Sequence, residues 1–70
     1  MNQELATIEN AIVKALEEWN GWPSADYLVM TVTRRLKCAD VAVTNGLRSL
    51  CQRQIVTYHK HNGMTVFRLE

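Results

Sequence analysis

Long apolar runs are missing from this 70-residue sequence, and none approaches the roughly 20 residues that a membrane-spanning helix needs. The opening stretch MNQELATIENA also lacks the basic start and the apolar segment of a secretory signal peptide. There are no repeats or low-complexity segments, and 47% of the residues are apolar, as in ordinary globular proteins. We therefore expect one folded domain over residues 1–70, located in the cytoplasm and without a membrane partner.

Cysteine is scarce, and Cys38 and Cys51 are the only two in the chain. Without further cysteines or a histidine pair at ligand spacing, they do not form a zinc signature, and we expect reduced thiols that pack as small hydrophobic groups. His59 and His61 stand two residues apart, so on a strand they would share one face and could bind a metal weakly. No carboxylate lies beside them in this segment, and we favour a solvated face with no metal.

Catalytic motifs are also missing from the sequence. No serine, cysteine or aspartate stands in a recognisable nucleophile motif, and the three glycines form no phosphate-binding loop. These absences predict a protein that is not an enzyme, that uses no cofactor and that has no small-molecule substrate.

Net charge is only +1, but the charges are unevenly distributed along the chain. Residues 1–33 contain one lysine and five acidic residues, a net charge of −4, whereas residues 34–70 contain seven basic and two acidic residues, a net charge of +5. This asymmetry predicts that the C-terminal half faces a polyanion. The alternative is that two solvated surfaces differ in charge without any partner.

Helical periodicity begins at the N-terminus. Residues 2 to about 19 carry apolar side chains at steps of three and four, which predicts a first helix that ends at an Asn-Gly pair. Trp19 and Trp22 flank this turn, and we interpret them as a lid on the core. Ser24 is expected to cap a second helix that runs to about residue 37.

A third helix is predicted over residues 40–54, with Asp40 as its N-cap because Ala39 has no side-chain acceptor. Gly46 inside this helix costs about 1 kcal/mol relative to alanine, which predicts that another helix comes close there. One face of the helix is apolar and is formed by Val43, Leu47 and Leu50. The opposite face carries groups that suit base edges or phosphates, namely Val41, Asn45, Arg48, Ser49 and Gln52.

The C-terminal segment changes to a period of two, which predicts two strands around Asn62-Gly63, a strong signal for a two-residue hairpin turn. This turn places Val56 opposite Leu69 and Tyr58 opposite Phe67, with the intervening residues paired in step. These four side chains then share one face, which we expect to be buried against the helices.

The segment LKCADVAVTNGLRSLCQRQIV resembles the helix-turn-helix of winged-helix transcription regulators. The resemblance covers residues 5–69 and rests on an apolar pattern formed by Leu36, Cys38, Val43, Leu47, Leu50, Ile55 and Val56. The family often has glycine in the turn, serine or threonine at the cap, and glycine after the third helix, where this chain has Lys37, Ala39 and Gln54. The resemblance implies an α+β fold, a small winged helix-turn-helix with three helices followed by a C-terminal β-hairpin wing.

This resemblance also implies a function, namely a small DNA-binding and transcription-regulatory protein. Helix 3 would read duplex DNA in the major groove, and the wing over residues 57–68 would contact the backbone. Base contacts are expected from Asn45, Arg48, Ser49 and Gln52. Phosphate contacts are expected from Arg34, Arg35 and Lys37 at the end of helix 2, and from Lys60, His61 and Asn62 at the wing tip. A chain this small offers few such contacts, so we expect a homodimer or a protein partner to assist.

The alternative function is a winged-helix module for protein-protein interaction, either a phage or plasmid product that modulates a host protein or a subunit of an assembly. The near-neutral net charge favours it, and the fold alone cannot decide. A contiguous basic surface joining helix 3 to the wing would favour DNA. An exposed apolar patch around Val41, Tyr27 or the tryptophans would favour a protein partner.

Overall fold

The computed structural model describes residues 5–70, in which three helices precede a two-stranded antiparallel hairpin. The elements are α1 (Leu5–Glu18), α2 (Ala25–Leu36), α3 (Asp40–Gln52), β1 (Val56–His61) and β2 (Met64–Leu69). The start of the first helix, predicted at residue 2, lies outside the described residues. The order of elements confirms the predicted α+β fold with winged helix-turn-helix topology. Within residues 5–70, no helix is both long enough and apolar enough to cross a membrane.

A single apolar cluster joins the three helices to the base of the hairpin. Its members are Ile8, Ile12, Ala15, Leu16, Leu28, Val32, Val43, Leu47, Leu50, Val56 and Phe67. α1 and α3 approach each other closely at Gly46, where an added Cβ would lie 3.0 Å from Cδ1 of Ile12 and 3.0 Å from Cγ2 of Ile8. The predicted close neighbour of Gly46 is therefore confirmed, and it is α1.

The beginnings of α2 and α3 differ in how they are capped. The side-chain oxygen of Ser24 accepts a hydrogen bond from the Tyr27 N–H at 3.2 Å, which confirms Ser24 as the N-cap of α2. The prediction for α3 was wrong, because the N-cap is Ala39 in extended backbone and Asp40 is already helical. Packing of α2 against α3 sets the length of the turn and hence the residue that enters the helix. Ala39 and Asp40 are exposed, so water can satisfy the first N–H groups of α3.

α3 ends at Gln52, two residues before the predicted end, in a Schellman motif. The Ile55 N–H donates to the Leu50 carbonyl at 3.0 Å, and the Gln54 N–H donates to the Cys51 carbonyl at 3.1 Å. Gln54 has a left-handed backbone with φ 62°, at the position where the resembling family often has glycine. The glutamine therefore adopts the conformation that lets the chain reverse from α3 into β1.

The hairpin has the predicted register at all six cross-strand pairs. Asn62 and Gly63 both have positive φ, 52° and 79°, as a type I′ turn requires. Val56 and Phe67 are buried, but Tyr58 is 58% exposed, so its predicted burial was wrong. β1 leaves the core beyond Val56, whereas β2 stays packed on the rest of the molecule through Phe67 and Leu69.

The loop before α2 pairs with the second strand of the hairpin. The Phe67 N–H donates to the Pro23 carbonyl at 2.9 Å, and Ser24 forms an isolated antiparallel bridge with Val66. These contacts fix the start of α2 against β2, a tertiary connection that helical and strand periodicity did not reveal.

The two tryptophans do not form the predicted lid, since neither belongs to the core cluster or to the hydrophobic residues packed against it. The Trp22 ring centroid lies 4.7 Å from that of His59, and the Arg68 guanidinium lies 5.7 Å from the Trp22 centroid. Trp19 is 41% exposed and contacts Tyr27 at 4.3 Å between ring centroids. Pairing of this loop with β2 places Trp22 beside the outer face of the hairpin and away from the core.

Candidate nucleic-acid interface

The face of α3 opposite the core is open to solvent. Asn45, Arg48 and Gln52 are exposed along it, and Ser49 is half-buried on its flank. Within residues 5–70, none of these four side chains takes part in a hydrogen bond or ion pair. Their donors and acceptors are therefore available to an external ligand. The face is not wholly polar, because Val41 in the first turn of α3 is 64% exposed.

An open groove of about 490 Å³ separates α3 from the hairpin and from the first turns of α2. Arg48 and Gln52 line it from α3, and Tyr58 and Thr65 line it from the hairpin. The structure thus brings two predicted base-contacting residues to the same groove as the wing. Tyr58 was predicted to lie in the core, and nothing in the sequence pattern marks Thr65 as a site residue. The groove is not predictable from sequence periodicity, because residues from α2, α3 and the hairpin form it together.

The cations at the end of α2 divide into two kinds. Arg35 forms an ion pair with Glu18 of α1, with Nη2 and Oε1 2.6 Å apart and both side chains about half exposed. Arg34 and Lys37 are exposed and form no ion pair within residues 5–70. Lys37 has a left-handed backbone with φ 53°, which ends α2 and starts the turn to α3. Of the three cations at the end of α2, Arg35 is thus directed toward α1.

The wing tip carries the three residues predicted for backbone contacts. Lys60, His61 and Asn62 are all exposed, and none forms a hydrogen bond or ion pair through its side chain within the described part of the chain. Because Asn62 occupies the tight turn, the tip is narrow and projects these groups away from the core. Such a tip can approach a phosphate backbone without moving the helices.

Three of the acidic residues in the described part of the chain, Glu9, Glu17 and Glu18, lie on α1. Glu9 of α1 is almost buried and lies 2.7 Å, between Oε2 and Nη2, from Arg53 at the end of α3. This pair and the Arg35–Glu18 pair neutralise two of the seven cations of the C-terminal half. Two acidic residues lie nearer to the α3 face and the wing. Asp40 is exposed in the first turn of α3, and Asp26 in the first turn of α2 lines a pocket with Gly63 and Met64 of the wing turn, so both would repel phosphates there.

The described residues also contain no group of three or more histidine, cysteine or carboxylate side chains placed to hold a metal. Cys38 and Cys51 are unpaired thiols, and both are half-buried against the core. Burial raises the pKa of the Cys51 thiol above its ordinary value of 9.0. A raised thiol pKa lowers the thiolate fraction at neutral pH and hence the reactivity of Cys51.

The fold and the open α3 face define a class, a small α+β protein of winged helix-turn-helix topology. The sequence matches no protein-family model and no curated protein. Among solved structures, the crystal structure of SSV1 F-93 is similar, with a TM-score of 0.72 and 19% sequence identity. The alignment covers 89% of this chain and 69% of that chain. At this identity, the similarity shows a shared fold alone.

Proposed function

We propose that this chain is a small DNA-binding protein with a regulatory role, acting by binding and not by catalysis. In this proposal α3 enters the major groove of duplex DNA and the hairpin contacts the adjacent backbone. The observation that carries the proposal is that some basic side chains are already in ion pairs and others are not. Arg35 and Arg53 are paired with acidic residues of α1, whereas the cations on α3 and the wing tip are not paired within residues 5–70.

The chemistry of the exposed α3 residues supports this assignment. Arg48 could donate two hydrogen bonds to guanine, and Asn45 and Gln52 have the amide pairs that match adenine. The half-buried Ser49 would contribute from the flank of the helix. Exposed Arg34, Lys37 and Lys60 would supply phosphate contacts and, with them, salt-sensitive affinity.

The number of unpaired cations also limits the affinity of one chain. Few phosphate contacts give weak binding at moderate salt, so we include a second copy of the chain or a protein partner in the proposal. In a homodimer, two α3 helices would read two half-sites separated by about one turn of DNA.

A second candidate function, a protein-interaction module, is favoured by one observation. Trp19 is 41% exposed and its ring contacts the ring of Tyr27, so an aromatic pair faces solvent beside the α1–α2 loop. Tyr27 itself is half-buried against the core, so Trp19 is the accessible ring, and exposed aromatic groups are frequent anchors of protein interfaces. This surface is separate from the α3 face, so variants can test the two functions independently.

The test is a mobility-shift titration of a mixed duplex DNA pool at low and moderate salt. We expect binding that weakens with salt, and a loss of affinity of about tenfold or more in the Arg48→Ala, Lys60→Ala double variant. Lys14→Ala is the control for loss of a positive charge outside the interface, because Lys14 is exposed on α1; it removes one charge where the double variant removes two. Its effect should be under about threefold, since only long-range charge is removed.

Two results would contradict the proposal. Absence of binding at micromolar protein, or equal losses in the double variant and in Lys14→Ala, would overturn the α3 and wing interface. Trp19→Ala separates the alternative, because it should leave DNA binding unchanged while weakening any protein complex that uses the aromatic pair.

A further inference from the structure

The groove between α3, the hairpin and α2 has the size and composition of a small-molecule site. Its volume of about 490 Å³ lies within the roughly 300–1,000 Å³ that ligand pockets occupy. Its walls are mostly apolar, with Val29, Leu47 and Phe67 among them, and a few polar groups stand at its edge. This combination is typical of sites that bury an apolar body and orient it through a small number of polar contacts.

The charge of the groove selects the ligand class. None of the residues that line it is acidic, and Arg48 is the only charged one. The Arg48 guanidinium has no ion pair within residues 5–70, and its planar shape matches the two oxygens of a carboxylate. An anion with an apolar body would therefore pair with Arg48 while its body enters the groove.

The aromatic side chains that line the groove indicate which anions with an apolar body would fit best. The rings of Tyr58 and Phe67 lie 6.2 Å apart between centroids, tilted by 42°, and both line the groove. Tyr58 is 58% exposed, so its ring is accessible to a flat molecule that enters from solvent. Offset and edge-to-face contacts with such rings favour an aromatic body over a long aliphatic chain.

We propose that the groove binds a small aromatic carboxylate, with its carboxylate on Arg48 and its ring between α3 and the Tyr58–Phe67 wall. Cys51 also lines the groove, and burial raises the pKa of its thiol.

This site overlaps the proposed DNA interface, and that part of the proposal rests on the proposed function. Arg48 and Gln52 line the groove and are also expected to contact bases. A bound aromatic carboxylate would occupy Arg48 and add negative charge facing the phosphates. Ligand and DNA would therefore compete, so that the ligand releases the protein from its site.

The first experiment measures binding without DNA, using 1-naphthoate as the probe and titration calorimetry on the full chain. We expect a dissociation constant of about 1 mM or lower, because the number of non-hydrogen atoms in 1-naphthoate is large enough to supply that binding free energy. Arg48→Gln should weaken binding about tenfold or more, because it removes a charge-assisted contact, and Lys14→Gln should not change it. Neutral 1-naphthalenemethanol should bind more weakly than naphthoate and be indifferent to Arg48→Gln.

The second experiment locates the bound probe through Cys51, which lines the groove. In a Cys38→Ser background, Cys51 is the only thiol that N-ethylmaleimide can label, and mildly alkaline buffer offsets its raised pKa. At a naphthoate concentration about ten times its Kd, labelling should slow about tenfold. Circular dichroism of each variant verifies that the helices are retained.

The outcomes separate this inference from the proposed function. No naphthoate binding, binding unaffected by Arg48→Gln, or binding that leaves Cys51 labelling unchanged would each overturn the groove as an anion site. Naphthoate binding that protects Cys51 supports the site whether or not the protein binds DNA. If DNA binding is also observed, failure of naphthoate to displace DNA would refute the competition alone.

Discussion

The Glu9 carboxylate and the Arg53 guanidinium lie 2.7 Å apart and link α1 to the end of α3. The two side chains are unequally exposed, 11% for Glu9 and 53% for Arg53. The short contact lacks the alignment of a hydrogen bond, so the buried oxygen of Glu9 relies on the charge of Arg53. This ion pair joins the acidic half of the chain to the basic half and leaves the outer face of α3 open.

Removal of Arg53 should leave the Glu9 carboxylate buried without its counter-charge. We expect Arg53→Ala to lower the free energy of unfolding by about 2 kcal/mol, between the values typical of exposed and of buried pairs. The measurement is urea denaturation followed by circular dichroism. Arg35→Ala is the control, because its partner Glu18 is half exposed and the loss should stay under about 1 kcal/mol. Equal losses would show that burial of Glu9 adds nothing.

The missing side-chain cap of α3 predicts an easy gain in stability. Ala39→Ser places a hydroxyl acceptor at the N-cap, where the backbone is already extended, and should add about 1 kcal/mol to the free energy of unfolding. Ser24→Ala removes the existing cap of α2 and should cost a similar amount, about 1 kcal/mol. Thermal unfolding of both variants tests this pair. No gain from Ala39→Ser would mean that the turn cannot present the new hydroxyl.

Gln54 predicts a second gain, through its left-handed backbone at φ 62°. Glycine adopts this conformation without steric cost, so Gln54→Gly should stabilise the fold by about 0.5–1 kcal/mol after its greater freedom in the unfolded chain is counted. Gln54→Ala keeps the steric cost and should be nearly neutral, since the Gln54 side chain is exposed. Equal stability of the two variants in denaturant titrations would contradict this account of the α3 end.

Gly46 should resist substitution because α1 lies so close. Alanine would gain about 1 kcal/mol in helix propensity, but its Cβ would lie 3.0 Å from Ile8 and Ile12. We expect crowding to prevail, with Gly46→Ala destabilising by about 1 kcal/mol net. Ile12→Val removes the Cδ1 atom that the new Cβ would meet, so Gly46→Ala should cost less in that background. A cost that is the same in both backgrounds would assign the crowding to Cγ2 of Ile8 alone.

Periodicity was sufficient to predict the elements of this fold, because each of them carries its own local signal. Apolar residues of α1 and α3 recur at helical spacing. The Asn62-Gly63 turn predicted the hairpin register correctly at every cross-strand pair. The cap of α3 was predicted wrongly because side-chain chemistry at Ala39 and Asp40 does not set the length of the turn. Tertiary packing sets it, and one sequence contains no local signal for that.

The candidate site was only partly predictable for the same reason. The spacing of Asn45, Arg48 and Gln52 on one helix face follows from 3.6 residues per turn, and the structure places all three in solvent. Exposure of Tyr58 was not predictable, because it depends on where the hairpin leaves the helices. The pairing of Arg35 with Glu18 joins residues of two helices, so sequence spacing could not reveal it either.

The most direct test of DNA binding through α3 and the wing is a ¹H–¹⁵N chemical-shift titration of the protein with a short DNA duplex. DNA binding through α3 and the wing predicts shifts concentrated in residues 45–52 and 60–62, diminishing as salt is raised, with the exposed side of α1 around Lys14 unchanged. Shifts confined to the Trp19–Tyr27 surface, or the absence of shifts at saturating DNA, would contradict it.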